Sequence, residues 1–112
     1  MKTLRLTPAE SAAYPGVRRF WRAMRKQPDP TGSNGGKLRG VVWNDAFDQW
    51  DAQYFGDNPR LIGKCPYGKP GDRIRLRRER DEPDWHCITP SITAITVEKH
   101  GGKWGWVVEV KA

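Results

Sequence analysis

Ten basic side chains in this sequence fall into two clusters, and each cluster carries aromatic rings. Arg18, Arg19, Arg22, Arg25 and Lys26 surround Phe20 and Trp21, while Lys64, Lys69, Arg73, Arg75 and Arg77 surround Tyr67. Lysine and arginine neutralise phosphates, and exposed rings stack unpaired bases. The combination therefore points to RNA or DNA, with single strands favoured. The plainer reading of the same residues is a set of solvated strand faces with the rings turned into a core.

Other chemistries fit these residues less well. His86 and Cys87 are adjacent, Cys65 is distant, and no C-x-x-C or H-x-x-x-H spacing occurs, so no metal site is expected. No Gly-rich loop precedes a helix, and no Ser/His/Asp order suggests a nucleophile. No cofactor is expected. Cys65 and Cys87 read as small buried hydrophobes, and the lack of a disulfide framework suggests a reducing, cytoplasmic setting. No apolar run approaches the ~18 residues of a spanning helix, and the N-terminal residues show no secretory pattern, so no membrane partner is expected.

The clusters sit in a chain of alternating charge. Its 112 residues carry a net charge of +7. Residues 1–40 contribute +7, 41–59 contribute -4, 60–80 contribute +6 and 81–112 contribute -2. One basic face forms only if the fold brings the first and third blocks together. The length suits a single domain, expected to be a monomer. Only 37% of residues are hydrophobic, so the six Trp must carry much of the core.

Twelve Gly and nine Pro argue for short elements joined by turns. Leu4 to Leu6 reads as a short strand. Thr7-Pro8-Ala9-Glu10 then reads as a helix start with a capping box, stopped by Pro15-Gly16. Phe20 to Lys26 suits a strand, and Gln27 to Lys37 a loop. Leu38 to Trp43 is β-prone. Asn44 to Phe55 is open between a helical turn and an irregular strand pair, because Phe47, Trp50 and Tyr54 fall at helical spacing. Leu61 to Lys64 leads into a tight Pro- and Gly-rich segment, and Arg73 to Arg80 follows as a strand with Ile74 and Leu76 on one face. Ile92 to Lys99, the turn His100-Gly101-Gly102 and the last strand form a hairpin. In that strand Trp104, Trp106, Val108 and Val110 share the buried face. The expected fold is mainly β (α+β), a small barrel or strongly bent sheet with one or two short helices.

The string KCPYGKPGDRI is the most specific in the chain. It resembles the CPYGxPGDRLWVRE run of small phage and prophage proteins with an ASCH domain, relatives of the PUA RNA-binding fold. Cys65 to Arg73 match that run, Ile74 to Arg78 match loosely, and the tail GKWGWVVEVKA is similar to the family's closing strand. The resemblance implies a PUA-like β-barrel. Some ASCH proteins are amidohydrolases acting on an acetylated cytidine through a Lys, a Thr and a Glu, and others are linked to RNA cleavage. The matching positions here hold Arg18, Trp21 and Arg78. Arginine cannot serve as an activated lysine, since its pKa stays above ~12. Glu79, one residue beyond the expected acid, would point to the other face of a strand, and is the one catalytic candidate.

The expectation is thus a phage-type ASCH/PUA-like module in the bacterial cytoplasm that binds RNA or DNA without catalysis. Its rivals are an ASCH-type nucleoside amidohydrolase or ribonuclease with an altered site, and a phage accessory factor binding an acidic host protein. A concave basic cleft with exposed rings would favour the first reading, and a flat basic face the last.

Overall fold

The computed structural model describes residues 1–111, and among them the chain is mainly β. Strand β1 (Lys2–Arg5) leads into helix α1 (Pro8–Ala13), followed by β2 (Arg19–Ala23), β3 (Leu38–Asn44), β4 (Gln49–Tyr54), β5 (Arg60–Gly63) and β6 (Ile74–Arg77). A single 3-10 turn at Asp84–His86 precedes β7 (Ile92–His100) and β8 (Lys103–Val110). No helix of the described residues is long and apolar enough to cross a membrane.

The strands form three small sheets. β1 pairs in parallel with β6, β8 lies between β2 and β7, and β4 lies between β3 and β5. The sheets do not close into the ring that a barrel requires. β6 is tied to the segment before β7 by isolated bridges, Arg73 to Ser91 and Leu76 to Ile88, and not by a continuous ladder.

Local chemistry accounts for most of the elements. Thr7 accepts from the Glu10 amide, and Glu10 accepts from the Thr7 amide, which completes the capping box. Such a cap contributes about 1 kcal/mol. Gly101 and Gly102 have φ of 55° and 81°, the left-handed values a two-residue hairpin turn needs.

The region 44–55 is a hairpin rather than a helical turn. Trp50, Ala52 and Tyr54 point to one buried face of β4, while Phe47 lies exposed in the β3–β4 turn. β6 is also shorter than the run Arg73 to Arg80, because the Arg78 amide donates to Glu82 Oε1 at 3.0 Å instead of to a neighbouring strand.

The core joins the faces of all three sheets. Phe20, Leu4, Ile74, Leu76, Ile92 and Val108 are essentially inaccessible, and Trp50 and Trp106 are buried among them. The alternation expected along β8 holds only in part, because Gly105 and Val107 on the opposite face are buried as well. Trp106, Val108 and Val110 are buried, and Trp104 packs against the same cluster while half-buried. Trp50 meets Trp106 edge-on at 5.5 Å, which joins the β3–β4–β5 sheet to the β2–β8–β7 sheet.

Candidate nucleic-acid interface

A cleft of about 500 Å³ opens where these two sheets and the 65–72 turn converge. Its cations are Lys2, Lys64 and Lys69, and its aromatic wall is Trp43 and Trp50. Ile95 and Cys65 line it too, and Asp48 and Asp72 supply the carboxylates. None of the three lysines has a carboxylate partner within ion-pair distance among the described residues.

The turn that carries Lys69 is rigidly built. Asp72 Oδ2 accepts from the Lys69 amide at 3.1 Å, and the Asp72 amide donates back to the Lys69 carbonyl at 3.1 Å. The Gly68 amide donates to the Cys65 carbonyl at 3.2 Å. Gly68 has a φ of 113°, and a Cβ there would stand 2.9 Å from Asp72 Oδ2, so no other residue fits without strain. Hydrogen bonds from Gly71 to the Ile92 carbonyl and from Ile92 to the Asp72 carbonyl, both 2.8 Å, fasten the turn to β7. The segment is therefore an architectural turn and a cleft wall at once. Burial pushes the Cys65 thiol above its ordinary pKa, so it stays protonated near neutral pH.

The aromatic wall is built across one strand pair. Trp43 and Trp50 are register partners, so their rings leave the same face of the sheet. They meet edge-on at 5.5 Å and 68°. Trp50 is buried, Trp43 is 38% exposed, and the Trp43 indole N–H donates to Asp45 at 2.6 Å. Lys2 arrives from the other end of the chain, because β1 pairs with β6 with Lys2 opposite Ile74.

The arginines expected to bind phosphate are mostly engaged elsewhere. Arg19 pairs with Glu98. Arg22 holds both Glu10 oxygens, at 2.6 and 2.8 Å, and also donates to the Arg5 carbonyl. Burial is the largest single influence on the Glu10 pKa and raises it, but the hydrogen bonds from Arg22 and Thr7 and the Arg22 charge together outweigh it, and the net shift is downward. Arg75 and Arg77 both reach Asp84, at 3.6 and 2.5 Å, and Arg75 Nε is buried without a partner. Arg73 donates to the Thr89 carbonyl at 3.2 Å.

Trp21 is covered on one side and bonded at its edge. Its ring lies stacked on His100 at 4.8 Å and 6°, its N–H donates to the Glu98 carbonyl at 3.1 Å, and Gly105 makes room for it. Tyr67 is half-buried against the core, and burial raises its phenol pKa. Arg18, Arg25 and Lys26 are exposed and have no carboxylate partner among the described residues, with Arg25 and Lys26 just past the end of β2. Of the residues picked from sequence, the cleft thus gathers Lys64 and Lys69. It adds Lys2, Trp43 and Trp50, which the cluster pattern does not reveal.

Glu79 lies at a separate shallow hollow with Arg78, Glu82, Trp85 and His86. Glu82, not Glu79, is the organising acid there. It accepts from the Arg78 amide and side chain at 3.0 and 3.1 Å, lies 3.1 Å from His86 Nδ1, and accepts from the Cys87 thiol at 3.4 Å. The Arg78 amide is the largest influence lowering its pKa to about 2, against the opposing effect of burial. The cluster holds a loop in place, and among the described residues no group has the make-up of a metal site.

No protein-family model, curated protein or solved structure matches the chain.

Proposed function

We propose that the protein binds single-stranded RNA, or else DNA, by seating a base against Trp43 in the cleft and placing its phosphates on Lys2, Lys64 and Lys69. The observation that carries this reading is the cleft itself, a concave site whose three lysines are unpaired and whose wall is a half-exposed indole. Exposed rings stack any base, and lysines meet phosphates as point charges. A flat basic face suited to an acidic protein is less consistent with this shape. We read the domain as an incompletely closed relative of the ASCH/PUA-like barrel, phage-type in origin and acting in the bacterial cytoplasm, on the strength of the Cys65 to Arg73 run.

Catalysis is not part of this proposal. Trp21 is packed on His100 and Arg78 is held by Glu82, so neither lines the cleft. The test is a titration of labelled oligouridylate at two salt concentrations. With about three phosphates contacted, affinity should fall by roughly tenfold or more between ~50 and ~200 mM salt. A flat titration at ~50 mM salt would sink the reading.

A further inference from the structure

The β7–β8 hairpin tip carries a second set of unpaired cations beside a half-exposed indole. Lys99 lies opposite Trp104 in the strand register, and its ammonium stands 5.8 Å from the ring centroid. Lys103 follows the turn, opposite His100. Gln27 brings a third strand end to the same place. Its side-chain amide donates to the Met24 and Trp104 carbonyls, both at 2.9 Å, and its carbonyl accepts from the Trp104 amide at 2.8 Å. With Met24 also bonded to the Trp104 carbonyl, Arg25 and Lys26 are held beside this tip. All four cations are exposed, and none pairs with a carboxylate among the described residues.

The tip shares strand β7 with the cleft wall. Ile95 lines the cleft, and Lys99 lies four residues further along the same strand. At ~3.3 Å per residue the separation is about 13 Å. Ile95, Val97 and Lys99 share one face with their partners Val108, Trp106 and Trp104. Trp50 and Trp106 are buried, so the indoles Trp43, Trp50 and Trp106 link the cleft to β8 through the core, and the distance along β7 is what a ligand must cross outside.

We propose that the tip, through Trp104, Lys99, Lys103, Arg25 and Lys26, is a second contact point for the same nucleic-acid strand, so that full affinity requires a ligand long enough to span both points. This rests on the nucleic-acid reading of the cleft and adds a site length to it. Two tethered contacts act together only when the ligand can reach from one to the other. The rigid hairpin fixes that reach.

A length series of oligouridylates, from the mononucleotide to about the octamer, tests it on the full chain by fluorescence titration at low salt. Affinity should rise gently, then step up by about tenfold once the strand spans ~13 Å, at roughly three to four nucleotides. Lys99→Glu with Lys103→Glu should remove the step and leave short-oligomer affinity nearly unchanged. The charge-matched control Lys37→Glu with Lys111→Glu should keep the step. Circular dichroism checks that each variant is folded. A smooth length dependence in the unaltered protein, or a step that survives the tip substitutions, would overturn the second contact while leaving the cleft reading standing. No binding at any length would remove both, and would turn attention to an acidic protein as the partner of these cations.

Discussion

Trp43 stands edge-on to Trp50, 5.5 Å between ring centroids, and the pair divides its work: Trp50 is buried in the core, while Trp43 keeps 38% of its surface exposed to the cleft. The buried ring fixes the angle of the exposed one, as does the Asp45 hydrogen bond to the Trp43 indole N–H. A preset stacking surface loses little freedom when a base arrives.

Trp43→Ala should therefore weaken oligonucleotide binding by about tenfold, in line with the ~1–3 kcal/mol that one base–aromatic stack contributes. The thermal midpoint should change little, because the ring is not part of the buried cluster. Trp21→Ala should do the reverse, lowering the midpoint and sparing affinity, since that ring is already stacked on His100. Parallel melting and binding curves for the two variants check this, and interchanged effects would move the stacking site to β2.

Part of this arrangement is legible in the sequence and part is not. The capping box, the Gly-Gly hairpin and the core-facing row of β8 are set by neighbours within a few residues, so they can be read directly, whereas the burial of Val107 on the other face depends on distant contacts. The 44–55 segment cannot. Trp50 and Tyr54 are four apart, a spacing that puts two residues on one face of either a helix or a strand. Only pairing with β3 decides between them. The cleft is still harder to foresee. Lys2 reaches it through a parallel pairing with Ile74, and nothing near either residue encodes that contact. Charge counting also treats all cations alike. The structure separates arginines engaged by Glu10, Glu98 and Asp84 from the cleft lysines, which have no such partner among the described residues.

That separation makes a second prediction. Lys64→Glu with Lys69→Glu should reduce oligonucleotide affinity by about tenfold or more and flatten its salt dependence, with stability nearly unchanged. Arg75→Glu with Arg77→Glu alters net charge equally but places acids beside Asp84. It should lower the melting temperature and affect binding less. Equal losses of affinity from the two pairs would mean that net charge, not the cleft, governs binding.

Gly105 provides a steric test of the β2–β8 face. A Cβ at this position would lie 2.2 Å from Trp21 Cε2, far inside contact distance. Gly105→Ala must push the indole off its seat, break its bond to the Glu98 carbonyl and open its stack on His100. A cost of about 1–3 kcal/mol is expected, the usual range for overpacking. Chemical denaturation measures it, and a variant as stable as the parent would show that Trp21 has another place to go.

The acid side of the stability profile should report on Glu82. Its carboxylate titrates at about 2 in the folded protein, chiefly because the Arg78 amide donates to it, against an ordinary value of 4.5. A carboxyl group whose folded pKa lies below its unfolded one stabilises the fold fully above the unfolded value, and that contribution disappears as pH falls through the folded one. The window here runs from roughly pH 5 down to about pH 2. Glu10, Glu98 and Asp57 are also lowered and weaken the fold in acid, so the parent alone does not isolate Glu82. The comparison with Glu82→Gln does. Glutamine keeps the size and an acceptor oxygen but has no charge to lose. The parent should melt higher than the variant at neutral pH, and the gap should narrow steadily below about pH 5 until it nearly closes near pH 2. Thermal melts of both proteins across that range measure it. A gap that stays constant with pH would mean that the Glu82 carboxylate is no better stabilised in the fold than in the unfolded chain, and that Arg78, His86 and Cys87 are held by other contacts.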